Sequence, residues 1–494
     1  MAYQDLRDWI VRIEEVGQLK RITAEVDWDL ELSAITRRVE NQEGPALLFE
    51  NIKNHHNTVS RKLFTGSLAS RGRVAMALGL SKETSYRGIV EFIRQGLERL
   101  VNPTKVASGP VKENILKGDA VNLYEFPIPR YHGLDGGRYI NTRGCVVTMD
   151  PETNIMNIGM YRGMIGDNEK SMPVLLLPVQ HWGRHFSKYR ERGEEMPVAV
   201  IFGWDPALEF LAGTPVIHHG HSEYELVGSL RGEPVELVKC ETSDLYVPAS
   251  AEIVIEGRIS PDPNTFQMEG PFGEFTGYYA GMRRPKPTIR VECITHRNDP
   301  IFRGGGCGAG PTGLIEQSYW NTTGGAAVIW RALEQTGVPN ILGVWGDPIT
   351  NLTNLRVQID KTHRGHAKQV AAAIISISTA DKGKIITVVD KDIDVFDDEA
   401  VGWARIWRVN ADMGAIQFYP GTVGTPLDPS VPLPQRDVLK YGSGRWTRVL
   451  IDATVNWDLE PEDQYGGQRQ PPMCTSISPE IAELISRRWQ EYGL

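Results

Sequence analysis

Glu269-Gly270-Pro271-Phe272-Gly273-Glu274 sets two carboxylates five positions apart around a Gly-Pro pair and a second glycine. Pro271 fixes its own φ, while Gly270 and Gly273 accept backbone angles closed to other residues, so the stretch reads as a preset bend. Two acids on such a bend can face one cavity. Like charges held close resist double ionisation, and one of the pair then keeps a proton near neutral pH as a general acid. Acid-flanked Gly-Pro turns also stand on protein surfaces, so the turn by itself leaves a solvated bend open.

The bend lies in a segment, 111–311, built of short β-rich runs between Gly, Pro, Asn and Asp: 143–149, 174–177, 198–202, 235–239, 251–258 and 288–295. Many short strands with closely spaced turn signals predict a barrel or folded sheet, and the mouth of such a sheet is a ligand site. Towards the N-terminus, Leu6, Ile10, Ile13 and Val16 recur at helical spacing and Gly17 supplies a stop. Asp27 is placed to cap a second helix carrying Leu30, Ile35 and Val39, 46–50 reads as a buried strand, and 71–80 and 85–101 read as helices. This unit ends near Asn102-Pro103, because a residue before proline is pushed out of helical geometry. Towards the C-terminus, helices over 325–336, 364–374 and 399–408 alternate with strands over 340–345, 355–359 and 384–389, which predicts βαβ units on a mixed sheet. Ser478 and Pro479 open an amphipathic tail helix with Ile481, Leu484, Ile485 and Trp489 on one face, and that face needs a partner from this subunit or another. The expected architecture is α/β multidomain, divided at 1–110, 111–311 and 312–494.

The 494 residues carry 62 acidic against 53 basic side chains, a formal net charge of −9 with no long basic run. That balance argues against nucleic acid or an anionic membrane as main partner. The five cysteines (Cys145, Cys240, Cys293, Cys307 and Cys474) are scattered without CxxC spacing, which suggests neither a disulfide framework nor a zinc site and fits a reducing cytoplasm. Residues 1–19 include Asp5, Asp8, Glu14 and Glu15 and lack the uncharged core of a signal peptide. The most apolar runs, 172–179 and 197–203, are far shorter than the ~20 residues of a spanning helix.

Other residues are candidates for chemistry. Arg162 can bind a carboxylate bidentately, although spacing cannot tell it from a surface arginine. His181, after Gln180, is suited to metal ligation, proton transfer or a plain hydrogen bond. Glu236 sits in a strand pattern whose alternation serves a solvent-facing position equally well. Asn157, His181 and Glu236 together offer donors suited to Mn²⁺ or Mg²⁺, but no short spacing unites them. Cys307 belongs to a glycine run, Gly304 to Gly308, that lacks the setting of a Rossmann or P-loop site. No GxSxG, HExxH or papain-like cysteine signature occurs, which weakens a hydrolase reading.

Taken in order, Asn157-x-x-x-x-Arg162, Gln180-His181, Glu236-Leu-Val-Lys-Cys240 with Asp244-Leu-Tyr-Val-Pro-Ala249, and the Glu269–Glu274 bend resemble the UbiD family of reversible decarboxylases. The likeness runs from Ala34-Ile-Thr-Arg-Arg38 through Asp392-Ile-Asp-Val395 to Asp452-Ala-Thr454. It implies an N-terminal α/β domain, a central split, flavin-reductase-like β-barrel binding prenylated FMN, and a C-terminal α/β oligomerisation domain. By position it implies Arg162, Glu269 and Glu274 as the catalytic network. Asn157, His181 and Glu236 become metal ligands beside the flavin phosphate, with K⁺ as a further ion. Met160, Tyr161, Arg162, Gln180 and Cys307 join them at the cofactor. Leu177, Trp320, Asn321, Thr425 and Leu427 face the substrate. A cofactor-contacting lysine has two nearby matches, Lys382 and Lys384.

The implied reaction is non-oxidative decarboxylation of an aromatic or heteroaromatic acid through a covalent prenylated-FMN adduct, with Arg162 orienting Glu269 and the substrate carboxylate and Glu274 supplying the proton. Asn321 favours an indole-, phenazine- or hydroxybenzoate-type acid; a cinnamate-type acrylic acid decarboxylase and a flavin-dependent oxidoreductase are the alternatives. The implied partners are the small acid, CO₂, a flavin prenyltransferase as cofactor supplier, and further copies of the chain in a homodimer or homohexamer.

Overall fold

The computed structural model describes residues 3–214, 220–308, 310–311, 313–377, 382–436, 440, 444–474 and 477–493, so Thr312, the first residue of the expected third domain, lies outside the described residues. At the N-terminus, Asp5 caps the helix Leu6–Glu15 by accepting from the backbone of Arg7 and Asp8, and Leu6, Trp9, Ile10 and Ile13 face the core. The second helix is Glu31–Glu40, and Asp27 does not cap it. Asp27 instead accepts from the Asp29 backbone and pairs with Lys53, while Leu30, at φ 70°, immediately precedes the helix. The strands Leu19–Ile22, Ala46–Phe49 and Lys62–Thr65 form a sheet that a strand from the middle of the chain, Ile301–Arg303, extends in parallel.

The middle region is dominated by antiparallel strands in the order Asn114–Lys117, Thr288–His296, Ile253–Ile259, Met196–Phe202, Cys145–Met149, Met156–Met160, with Ser171–Pro173 also on Thr288–His296. Its apolar residues alternate into a core of Val146, Val198, Val200, Ile253, Ile255, Ile289 and Ile294, as pleated strands require. These strands form an open path. One isolated bridge pair, Gly163 with Val174, spans the gap between the ends of Met156–Met160 and Ser171–Pro173. Val174 to Leu177, expected as a strand, holds only that bridge.

The third region carries a mixed sheet ordered Ile341–Gly346, Asn354–Ile359, Ile385–Asp390, Gly444–Ala453, Ile416–Gly424, with parallel pairing at its centre and antiparallel strands at both edges. The helix expected over 325–336 begins nine residues earlier, as Glu316–Gln335. Polar residues hide its first half in the sequence, yet Thr322 and Thr323 turn their hydroxyls back onto the Ser318 and Tyr319 carbonyls, so both hydroxyls are buried with their hydrogen bonds made. The tail helix Pro479–Arg488 is capped by Ser478 and has no buried residue, leaving Ile481, Leu484 and Trp489 exposed. No helix among the described residues is long and apolar enough to cross a membrane.

A buried ionic cluster joins the middle and third regions, and the Leu68 backbone of the N-terminal region donates to its Glu316. Arg303, fully buried, donates from Nε to both oxygens of Glu209 at 3.0 Å and from Nη2 to Glu316 at 2.5 Å, and Arg143 reaches the other Glu316 oxygen at 3.3 Å. Removing one partner of such a set strands the remaining charges in a low-dielectric interior. Arg303→Met is therefore expected to cost about 3–5 kcal/mol in stability, read as a lowered denaturant midpoint at unchanged m-value.

Candidate active site

The acid bend is short extended structure: Gln267–Glu269 pairs with Arg284–Lys286, and Phe272–Gly273 with Tyr279–Ala280. The bond between Gly270 and Pro271 is cis and Gly270 takes φ 90°, a conformation open to glycine. This geometry aims Glu269 and Glu274 at one guanidinium. Arg162 Nε and Nη2 donate to the two Glu269 oxygens at 2.9 and 3.1 Å, and Arg162 Nη1 donates to Glu274 Oε1 at 2.6 Å. All three side chains are buried, and the guanidinium also lies 5.6 Å from the centre of the Phe272 ring. Arg162 follows the strand Met156–Met160 and meets the two acids although more than a hundred residues separate it from either in sequence. The surrounding carboxylates hold the arginine firmly in its charged form.

Arg162 and Glu274 line a cavity of about 910 Å³ between the middle and third regions, near the upper end of small-molecule sites. Glu269 stands behind Arg162, outside the lining. The two acids therefore do not both face the cavity, as the bend by itself suggested. One faces it and the other anchors the cation between them.

Asn157, Met160, Tyr161, Gln180, His181 and Cys307 line the same cavity, as do Leu177, Trp320, Asn321, Thr425 and Leu427. Trp320 and Asn321 reach it from the long helix Glu316–Gln335. Tyr161 stacks flat on Trp182 with ring centres 4.3 Å apart, and its hydroxyl accepts from Asn157 Nδ2 at 3.2 Å. Burial pushes the Cys307 thiol up to about 11, so it remains neutral. Of the two lysines, Lys382 lines the cavity and donates to the Asn351 carbonyl, whereas Lys384 is bound to Asp428 and Ser430 away from the lining.

Glu236 is a correction. It begins the strand Glu236–Lys239, in register with Thr104, and is turned to solvent while Leu237 and Val238 are buried. It is absent from the cavity wall, and Glu223 stands there with Asn157 and His181. Glu223 opens the helix Glu223–Arg231, whose start is set by a capping box between Ser222 and Glu225. Burial pushes its carboxyl up to about 7, and its Oε2 accepts from the Ile158 backbone at 2.7 Å. No lysine or arginine pairs with it among the described residues. A buried carboxylate with no side-chain cation, lining the same cavity as an amide and an imidazole, is a donor set of the kind a hard divalent cation takes. The capping box was legible in His221-Ser-Glu-Tyr-Glu225, but it marks a helix start, where acidic residues are common for reasons of helix polarity alone.

Family models match the chain in three blocks: the 3-octaprenyl-4-hydroxybenzoate carboxy-lyase N-terminal domain over residues 10–93, its Rift-related domain over 103–309 and its C-terminal domain over 319–453. A phenolic acid decarboxylase of Sedimentibacter hydroxybenzoicus is 33% identical, with 99% of each chain covered. The closed form of the vanillic acid decarboxylase of the same organism superposes with a TM-score of 0.87 at 31% identity, covering 99% of both chains. An evolved dimeric form of HmfF, a UbiD-class enzyme of Pelotomaculum thermopropionicum in complex with prFMN, gives a TM-score of 0.76 at 28% identity over 97% of this chain and all of that one.

Proposed function

The chain belongs to the UbiD family of carboxy-lyases, and we propose that its cavity decarboxylates, reversibly, an aromatic acid whose ring bears a hydroxyl or a ring nitrogen. The observation that carries this reading is the buried Glu269–Arg162–Glu274 set with Glu274 on the cavity wall. In this reading Asn157, His181 and Glu223 hold a divalent cation, Mn²⁺ or Mg²⁺, with K⁺ nearby. That cation would supply positive charge against a flavin phosphate, and Met160, Tyr161, Gln180 and Lys382 would border the cofactor. The division into three domains near residues 110 and 311, with the middle sheet as a split barrel, is part of the same proposal and is supported by the three matched blocks.

When bound, the prenylated flavin supplies the electron sink that loss of CO₂ from an aromatic ring requires and that no side chain provides. The protein does the rest. Arg162, its direction fixed by Glu269, binds the substrate carboxylate. Trp320 and Leu177 cover the ring faces and keep water out, and Asn321 offers one donor and one acceptor to a polar ring substituent. As the carbon–carbon bond breaks, the electron pair stays on the ring side and CO₂ leaves. The Glu274 carboxyl then delivers its proton to the vacated ring carbon and is reprotonated from solvent. A flavin prenyltransferase supplies the cofactor. The exposed tail helix Pro479–Arg488 pairs with a further copy of the chain, in a homodimer or homohexamer.

The test is co-expression with a flavin prenyltransferase, an absorbance scan for bound cofactor, and CO₂ release from a panel of acids. Vanillate, 4-hydroxybenzoate, indole-3-carboxylate or phenazine-1-carboxylate is expected to exceed cinnamate by at least about tenfold in kcat/KM, since a hydrogen-bonding pocket rejects analogues lacking its partner group. Preference for cinnamate overturns the substrate reading. Oxidation of NAD(P)H without CO₂ release overturns the reaction itself.

A further inference from the structure

The two acids of the site are bound unequally, and the difference is made outside the cavity. Glu269 accepts two hydrogen bonds from Arg162 and one, at 2.9 Å, from the hydroxyl of Tyr139, whose single proton also has the Pro271 carbonyl at 3.1 Å within reach. Glu274 accepts from Arg162 once and is reached by the Phe275 backbone only at 3.4 Å. Glu269 thus has three of its four lone-pair sites engaged, Oε1 twice and Oε2 once, against a single close donor on Glu274. That carboxylate is held as an acceptor.

Tyr139 is itself fixed. Its ring lies 4.1 Å from that of Phe272 at an interplanar angle of 34°, it is fully buried, and burial together with Glu269 raises its hydroxyl, so it remains a donor. The loop carrying it grips the acid bend at three more points. Gly136 N donates to the Pro271 carbonyl at 2.9 Å, Asp135 Oδ1 accepts from Gly273 N at 3.0 Å, and Leu134 N donates to the Tyr279 hydroxyl at 3.1 Å. A side chain at position 136 would meet the Gly270 carbonyl at 2.2 Å, so the approach is as close as backbone permits.

We propose that Tyr139 is a positioning residue of the decarboxylation site: its hydroxyl commits Glu269 to anchoring Arg162 and thereby leaves Glu274 as the carboxyl that exchanges its proton with substrate. The proposal rests on the roles given above to Arg162 and Glu274. It concerns how two like groups acquire different duties, which the pair's own positions do not decide.

The experiment compares Tyr139→Phe with Glu274→Gln in the flavin-loaded enzyme, normalising turnover to bound cofactor. Tyr139→Phe keeps the ring against Phe272 and removes one hydrogen bond to a charged group, so kcat is expected to fall about 10- to 100-fold. KM and the bound-flavin spectrum stay within twofold. Deuterium uptake into product from D₂O slows in parallel with turnover. In a cycle with Glu269→Gln the two losses are expected to be non-additive, because Tyr139 acts through that carboxylate. A kcat within twofold of the parent, or a strictly multiplicative cycle, overturns the proposal while an inactive Glu274→Gln leaves the reaction assignment standing. Full activity in Glu274→Gln brings down both. Should Tyr139→Phe yield too little soluble enzyme, difluorotyrosine at position 139 keeps the ring and strengthens the donor, and an unchanged kcat in that protein overturns the proposal equally.

Discussion

Glu274→Gln enzyme, loaded with its flavin, is expected to lose about 10²- to 10⁴-fold in kcat, with deuterium uptake into product from D₂O slowed in parallel and with the bound-cofactor absorbance unchanged. The amide keeps the size of the carboxyl and its contact to Arg162 Nη1 through the remaining oxygen, so the cavity wall is preserved. What it removes is the transferable proton. In the proposed mechanism substrate binding falls to Arg162, which Glu269 still holds at 2.9 and 3.1 Å, and KM should therefore move far less than kcat. Product formation within tenfold of the parent would remove Glu274 from the proton-transfer role. A collapse of flavin binding would instead show that the acid shapes the cavity and is not a catalyst.

The second large effect separates two glutamates that the sequence makes hard to tell apart. Glu223→Gln is expected to weaken retention of the divalent metal by more than the ~10–100-fold that loss of an outer-shell partner costs, and flavin occupancy should fall with it. Glu236→Gln should leave both within twofold. The physical ground is burial: Glu223 stands on the cavity wall with Asn157 and His181 and has no side-chain cation among the described residues, while Glu236 is already in water. Metal analysis by mass spectrometry after dialysis, alongside flavin absorbance, reads both quantities without requiring turnover. Metal loss in the Glu236 variant with none in the Glu223 variant would restore the ligand set inferred from resemblance.

Much of the fold was legible because it is local. The first helix, the stop at Gly17, the helix opening near residue 85, the cap at Ser478 and the βαβ texture of the third region depend on residues within about four positions of one another. The misreadings also have local causes. Asp27 was an available cap used elsewhere, and the buried helix Glu316–Gln335 begins with polar residues that satisfy themselves on its own carbonyls. The edge strand Ile416–Gly424 and its partner Gly444–Ala453 went unread, and the outer strand shows why: its side chains are half-buried or exposed and lack a clean period-two signal.

At the site, the sequence by itself determined the inventory: a rigid acid bend, an arginine, an imidazole beside a glutamine, and the order of motifs that marks the family. Those facts follow from residue type and short-range backbone restriction, which no distant contact alters. Only the tertiary structure decided which acid faces the cavity, that Glu223 and not Glu236 lines it together with Asn157 and His181, and that Tyr139 touches Glu269. Each of these pairs groups from separate elements, brought together by sheet register and loop packing, and a one-residue change of register turns a side chain from one face to the other. Spacing along a chain carries no record of that choice.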